Sequence, residues 1–70
     1  MGWKEIWRSK GEVRNEVYLN GFYDEKGELI KGEFFIEQHG YKRTITLSIG
    51  LNQLQLKSLL KILQVDLQGK

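Results

Sequence analysis

Seventy residues with no cysteine and one histidine, His39, bound the chain 1–70 to a single small domain without a disulfide framework, a thiolate nucleophile or a multi-histidine metal site. Eleven Lys and Arg against nine Asp and Glu leave a net charge of +2, too small to argue for nucleic acid unless the charges are favourably distributed. No apolar run approaches the ~20 residues that cross a bilayer and the first residues lack the apolar core of a signal peptide, so the expected location is the cytoplasm, with nucleoid association as an option.

Trp3 to Ser9 alternates as a first strand, and Lys10-Gly11 supplies its turn. A two-residue loop there would set Trp3 beside Tyr18, Trp7 beside Arg14 and Glu5 against Glu16, with both tryptophans outside. One further loop residue would turn both rings inward, and the scarcity of other core residues favours that arrangement. Val13 to Tyr23 is a second strand. Asn20-Gly21 inside it reads as a bulge or bend, because Asp24-Glu25-Lys26-Gly27 is the fuller turn signal. The third strand runs from Glu28 to Gln38, and a His39-Gly40 loop leads to a fourth from Tyr41 to Ile49. That loop sets Gln38 opposite Tyr41, Glu37 opposite Lys42, Phe35 opposite Thr44 and Phe34 opposite Ile45. Across the preceding hairpin, Arg14 falls beside Glu37, Tyr18 beside Glu33 and Phe22 beside Leu29.

The last element is a helix. Asn52 is its N-cap with Gln55 reaching back, and Leu51 and Leu56 form a hydrophobic staple. Leu56, Leu59, Leu60, Leu63 and Leu67 follow helical spacing as one apolar stripe, and Gly69 marks a stop. The predicted fold is therefore α+β: a four-stranded antiparallel sheet in the order β-β-β-β-α, with the C-terminal helix packed on one face. Leu54, Ile62 and Val65 lie off the main stripe and are the candidate contact of a homodimer, since a chain this short gains from a partner.

Both faces of the predicted sheet carry large side chains. Val17, Leu19, Ile30, Phe34, Ile36, Ile45 and Leu47 form the core set, and alternation sends Arg14, Tyr18, Phe22, Lys31, Phe35, Lys42, Thr44 and Thr46 to the other side. With Arg43, the members Arg14, Tyr18, Phe22, Lys31, Phe35, Lys42 and Thr44 make up the candidate nucleic-acid-binding set. Bases stack on aromatic rings while Lys and Arg neutralise phosphates, a combination suited to single strands. The competing reading is that these rings bury against a partner subunit or a terminal segment, or simply cover the sheet. His39 is read as a loop residue that tolerates unusual backbone angles, and Asp24, Glu25 and Glu28 as a solvated turn without the ligand spacing of a calcium loop. No catalytic or cofactor motif is present, so the chain is expected to be neither an enzyme nor a cofactor carrier.

The stretch Tyr23-Asp24-Glu25-Lys26-Gly27-Glu28-Leu29-Ile30-Lys31-Gly32 resembles the strand–turn–strand segment of the positive-cofactor-four family of transcriptional coactivators, which bind single-stranded DNA. Lys42-Arg43-Thr44-Ile45-Thr46-Leu47-Ser48 and the helix from Asn52 to Leu63 are similar to that family's basic final strand and C-terminal helix. The resemblance spans residues 12–64 and implies a dimer gripping unpaired DNA on curved sheets, in transcription regulation. Glu33 to Tyr41 are an insertion relative to the family pattern. A second likeness, to the seven-kilodalton archaeal chromatin proteins, implies duplex DNA binding and ranks lower because the basic excess is small. The rival of a different class is a protein-interaction module, a small dimeric regulator or inhibitor.

Overall fold

Four antiparallel strands, β1 (Gly2–Arg8), β2 (Asn15–Tyr23), β3 (Leu29–His39) and β4 (Thr44–Asn52), lie side by side in chain order and lead into one helix, α1 (Gln53–Leu63). The computed structural model describes residues 1–10 and 14–65; Gly11, Val13, Leu67 and Gly69, which carried parts of the sequence reading, lie outside them. The architecture is the expected open α+β sheet with a C-terminal helix. No helix among the described residues is long and apolar enough to cross a membrane.

The turn between β2 and β3 forms where expected. The Asp24 carboxylate accepts the Lys26 and Glu28 backbone amides at 2.8 and 2.9 Å, and Gly27 takes φ of 80°, a value that favours glycine. Asn20-Gly21 does not turn the chain, and the irregularities fall next to it. One bulge separates Phe22 from Tyr23 in the β2–β3 ladder, and another separates Glu5 from Trp7 in the β1–β2 ladder. The first bulge corrects the position of Leu29: it pairs with Tyr23 instead of facing Phe22, and is buried in the core.

The β3–β4 connection is longer than predicted. His39 belongs to β3 and pairs with Thr44, and Gly40 to Arg43 form the loop, with Lys42 at φ of 76° and the Gly40 amide donating to the Arg43 carbonyl at 2.8 Å. Gln38 therefore faces Ile45 and Phe34 faces Ile49. A two-residue loop of type I′ or II′ needs positive φ at its first position, a strain that His39 escapes here. The β2–β3 register also differs, with Tyr18 opposite Phe35 and Phe22 opposite Lys31. Both shifts are even, so the strand residues away from the bulges keep their predicted faces.

The shifted β4 register places Leu51 opposite Gly32 and Asn52 opposite Lys31, so the helix starts directly above the glycine. Asn52 caps α1 with the predicted reciprocal box, its Oδ1 accepting the Gln55 amide at 2.8 Å while Gln55 Oε1 accepts the Asn52 amide at 3.0 Å. At the other end Gln64 turns left-handed at φ of 59°, and the Val65 amide donates to the Leu60 carbonyl. The core is Leu19, Leu29, Leu56 and Leu60, with Ile6, Trp7, Tyr23, Phe34, Leu51, Leu59, Leu63 and Val65 packed around it.

That core is smaller than the sequence implied. Eleven helical residues span about 16 Å, whereas the eleven residues of β3 extend about 36 Å, so α1 cannot cover the helix-side face. Of the expected core set only Leu19 is fully buried, while Ile36, Ile45 and Leu47 are exposed. Val65, expected at a dimer contact, instead packs on the chain's own core.

These contacts set an order of sensitivity that urea denaturation can check. A Cβ on Gly32 would lie 2.8 Å from Leu56 Cδ1 and 3.0 Å from the Asn20 carbonyl oxygen, so Gly32→Ala should destabilise by ~1–3 kcal/mol. Leu60→Ala should cost ~2–5 kcal/mol. Lys57→Ala, at an exposed position of α1, should stay within about 0.5 kcal/mol.

Candidate functional site on the open sheet face

The sheet face away from α1 collects side chains from β1, β2 and β3 into two aromatic pairs. Tyr18 and Phe35, cross-strand partners, stack with centroids 4.9 Å apart and planes 13° from parallel. Trp3 and Phe22, also partners, meet edge to face at 5.3 Å. A cation accompanies each pair. Lys31 Nζ lies 4.9 Å from the Phe22 centroid and 5.7 Å from that of Trp3, and the Arg8 guanidinium lies 4.5 Å from the Tyr18 centroid.

Trp3 reaches this face because of the bulge at Ile6. Without it, Trp3 and Trp7 would share one side of β1, as both sequence alternatives assumed. With it, Trp3 pairs with Phe22 outside and Trp7 pairs with Leu19 and packs on the core. The bulge sets Arg8 opposite Tyr18, and the overall β1–β2 register, four residues from the expected one, sets Glu5 opposite Asn20 instead of Glu16. Arg8 then bridges the two acids. Its Nε and Nη2 donate to Glu5 at 3.0 and 2.8 Å, and its Nη1 donates to Glu16 at 2.6 Å.

The central part of the face is thus mixed in charge. Glu16 and Glu37 are direct cross-strand partners, and His39 follows on the same side of β3. The Tyr18 hydroxyl donates to Glu37 Oε2 at 2.7 Å. That hydrogen bond holds the phenol above the ordinary tyrosine range, and desolvation acts in the same direction. Arg8 is raised by its hydrogen bonds to Glu5 and Glu16, and Glu5 is lowered chiefly by its hydrogen bond to Arg8.

Of the predicted binding set, Tyr18, Phe22, Lys31 and Phe35 come together as described, and Thr44 sits on β4 opposite His39. Lys42 and Arg43 are corrected from strand to loop: both lie in the Gly40–Arg43 connection, with Lys42 Nζ 5.4 Å from the Tyr41 ring centroid. Arg14, just before β2, joins Arg43, Tyr41, Gln38 and His39 around an open depression at that end. The cations are therefore at opposite ends of the molecule, Lys31 at one and Arg14, Lys42 and Arg43 at the other, with exposed Thr44, Thr46 and Ser48 between them along β4. Arg8 and the Glu16–Glu37–His39 group escaped the sequence reading, which weighed Trp3 on this face but favoured it inward with Trp7. Their positions depend on a bulge and a register that alternation does not reveal.

Comparison with protein-family models, curated proteins and solved structures finds no match to this chain.

The Arg8–Glu5 contact carries a pH signature. A carboxyl depressed in the folded state stabilises above its unfolded pKa of about 4.3, and that contribution disappears as pH falls through the lower folded value. Carboxyl-detected NMR titration should find Glu5 below the ordinary glutamate range, and Arg8→Ala should return it there. An unchanged Glu5 midpoint in Arg8→Ala would show that the bridge is not formed in solution.

Proposed function

We propose that this chain binds single-stranded nucleic acid, DNA in the first instance, without catalysis, on the open sheet face and as a homodimer. One observation carries the reading: four aromatic rings, Trp3, Phe22, Tyr18 and Phe35, lie on the side of the sheet opposite α1, in pairs flanked by Lys31 and Arg8. Rings so placed offer stacking worth ~1–3 kcal/mol per base. The acids around Arg8 disfavour phosphates at the centre. The backbone of a bound strand is better served by a path from Lys31 along the hydroxyls of Thr44, Thr46 and Ser48 to Arg14, Lys42 and Arg43. The resemblance to the positive-cofactor-four family supports the same class of ligand, and the modest net charge disfavours duplex DNA.

The homodimer is supported by the other side of the molecule. Ile45, Leu47 and Ile49 of the edge strand β4 are 49%, 63% and 59% exposed, Ile36 lies beside Leu47, and Ile62 of α1 is 75% exposed. A row of this kind on an edge strand is a surface that proteins ordinarily cover. It adds a β4 contact to the Leu54 and Ile62 contact read from the sequence. The same row favours a second reading, an interaction module in which a different protein takes that position.

Titration of fluorescent single-stranded DNA, single-stranded RNA and duplex at two salt concentrations tests the first reading. Trp3→Ala should weaken single-strand binding by ~1–3 kcal/mol with little change in salt slope. Arg43→Ala should lower both affinity and slope, because one fewer phosphate is neutralised. Absence of binding to every oligonucleotide at low salt would abandon this reading for the interaction module.

Sedimentation equilibrium tests the dimer separately. The wild-type chain should associate and Leu47→Glu should not. A monomer at high micromolar wild-type concentration, with a Tm independent of concentration, would refute it.

A further inference from the structure

We propose that Glu16, Glu37 and His39 form a binding site for a divalent transition-metal ion of the zinc class. One oxygen of each carboxylate and a ring nitrogen of His39 gather within 4.8 Å of one another on the open face. His39 Nε2 lies 3.5 Å from Glu16 Oε2 and 3.4 Å from Glu37 Oε1. Metal–ligand bonds of about 2.0–2.1 Å in a tetrahedron set neighbouring ligand atoms about 3.3–3.4 Å apart, which matches both distances.

Three independent features of the site call for a cation. First, the His39 ring is two-fifths exposed, yet Nε2 itself is closed off from solvent and has no hydrogen-bond partner. Nδ1 contacts Thr44 Oγ1 at 3.1 Å, and in the tautomer whose Nδ1–H donates there, Nε2 turns a lone pair toward two carboxylates. Three acceptors then converge with no proton among them. Second, Glu16 and Glu37 are directly opposed across the β2–β3 ladder, an unfavourable like-charge pair. Arg8 is shared with Glu5 and meets Glu16 alone of the two. Third, each carboxylate has its remaining oxygen held: Glu16 Oε1 accepts from Arg8 at 2.6 Å and Glu37 Oε2 from Tyr18 at 2.7 Å. With Thr44 on the imidazole, all three ligands are oriented by a neighbour, as ligands of metal sites are.

Three protein ligands leave a fourth position for water or another donor. Zinc, cobalt(II) and similar ions suit one imidazole with two carboxylates better than calcium, which takes six or more oxygens.

Isothermal titration of the metal-stripped full chain with zinc, and with cobalt(II) followed by visible absorption, tests the site. The expected result is saturable binding, the intense absorption of tetrahedral cobalt, and a zinc-dependent rise in Tm that a chelator reverses. His39→Ala should weaken binding more than tenfold, and Glu25→Gln, at the exposed β2–β3 turn, should leave it unchanged. Tyr18→Phe, which frees Glu37 without removing a ligand, should weaken it ~10–100-fold. Circular dichroism establishes that each variant is folded, and Glu37→Gln serves if His39→Ala is not. No saturable uptake by the wild-type chain, or uptake unaltered by both ligand substitutions, would overturn the proposal.

Discussion

Leu56 seated on Gly32 organises this molecule. Gly32 on β3 and Gly21 on β2 are cross-strand partners and both are buried. A Cβ at Gly32 would collide with Leu56, and one at Gly21 would lie 2.5 Å from Leu29 Cδ1 and 3.2 Å from Ile6 Cδ1. The pair is a gap in the side-chain layer into which Leu56 and Leu29 descend until they meet Leu19. Among the described residues the fully buried side chains are Leu19 and Leu56, so the depth of that contact decides whether there is a core at all.

Several other features serve the same contact. The long β3–β4 loop shifts β4 until Leu51 faces Gly32, and the Asn52 cap then starts the helix within one turn of Leu56. The bulge beside Tyr23 turns Leu29 inward, and the bulge at Ile6 brings an isoleucine over Gly21 and Trp7 over Leu19. The helix end is closed by the left-handed Gln64, which folds Val65 back onto the core. Anchoring α1 here has a consequence at a distance. The described chain is drawn out to 42 × 21 × 19 Å, and the far part of the sheet, with Ile36, Ile45, Leu47 and Ile49, lies beyond the helix. Burial at the glycine pair and exposure along β4 follow from the same short helix.

The open face inherits its character from the core side. Pushing Trp7 inward leaves Trp3 outside, and the same register shift brings Arg8 over Tyr18 and between Glu5 and Glu16. Aromatic rings, one bridging guanidinium and a group of acids around His39 therefore share a surface, with Lys31 at one end and Arg14, Lys42 and Arg43 at the other. A strand bound along the ends and a cation held at the centre would use separate parts of that surface.

Local patterns were enough for the elements, because each rests on neighbours in sequence. The Asp24–Gly27 turn is made by one carboxylate and one glycine, the helix start by Asn52 and Gln55, and the two sheet faces by strict alternation, which even register shifts leave intact. The grouping of Tyr18, Phe22, Lys31 and Phe35 was legible for that reason. Alternation by itself says nothing about an inserted residue, so it put Trp3 with Trp7 and Leu29 with Phe22. Nor does it weigh the space between layers: Gly21 and Gly32 read as interruptions, yet their missing side chains admit the helix. The sequence also marked Ile45 and Leu47 as core because a sheet face is amphipathic wherever it lies, while the reach of one helix decides which part is covered. The juxtaposition of Glu16, Glu37 and His39 belongs wholly to the tertiary structure. Residues on two strands meet only after the ladder has its register, and the bulge beside Tyr23 that helps to set Glu16 opposite Glu37 is an inserted residue that alternation does not reveal.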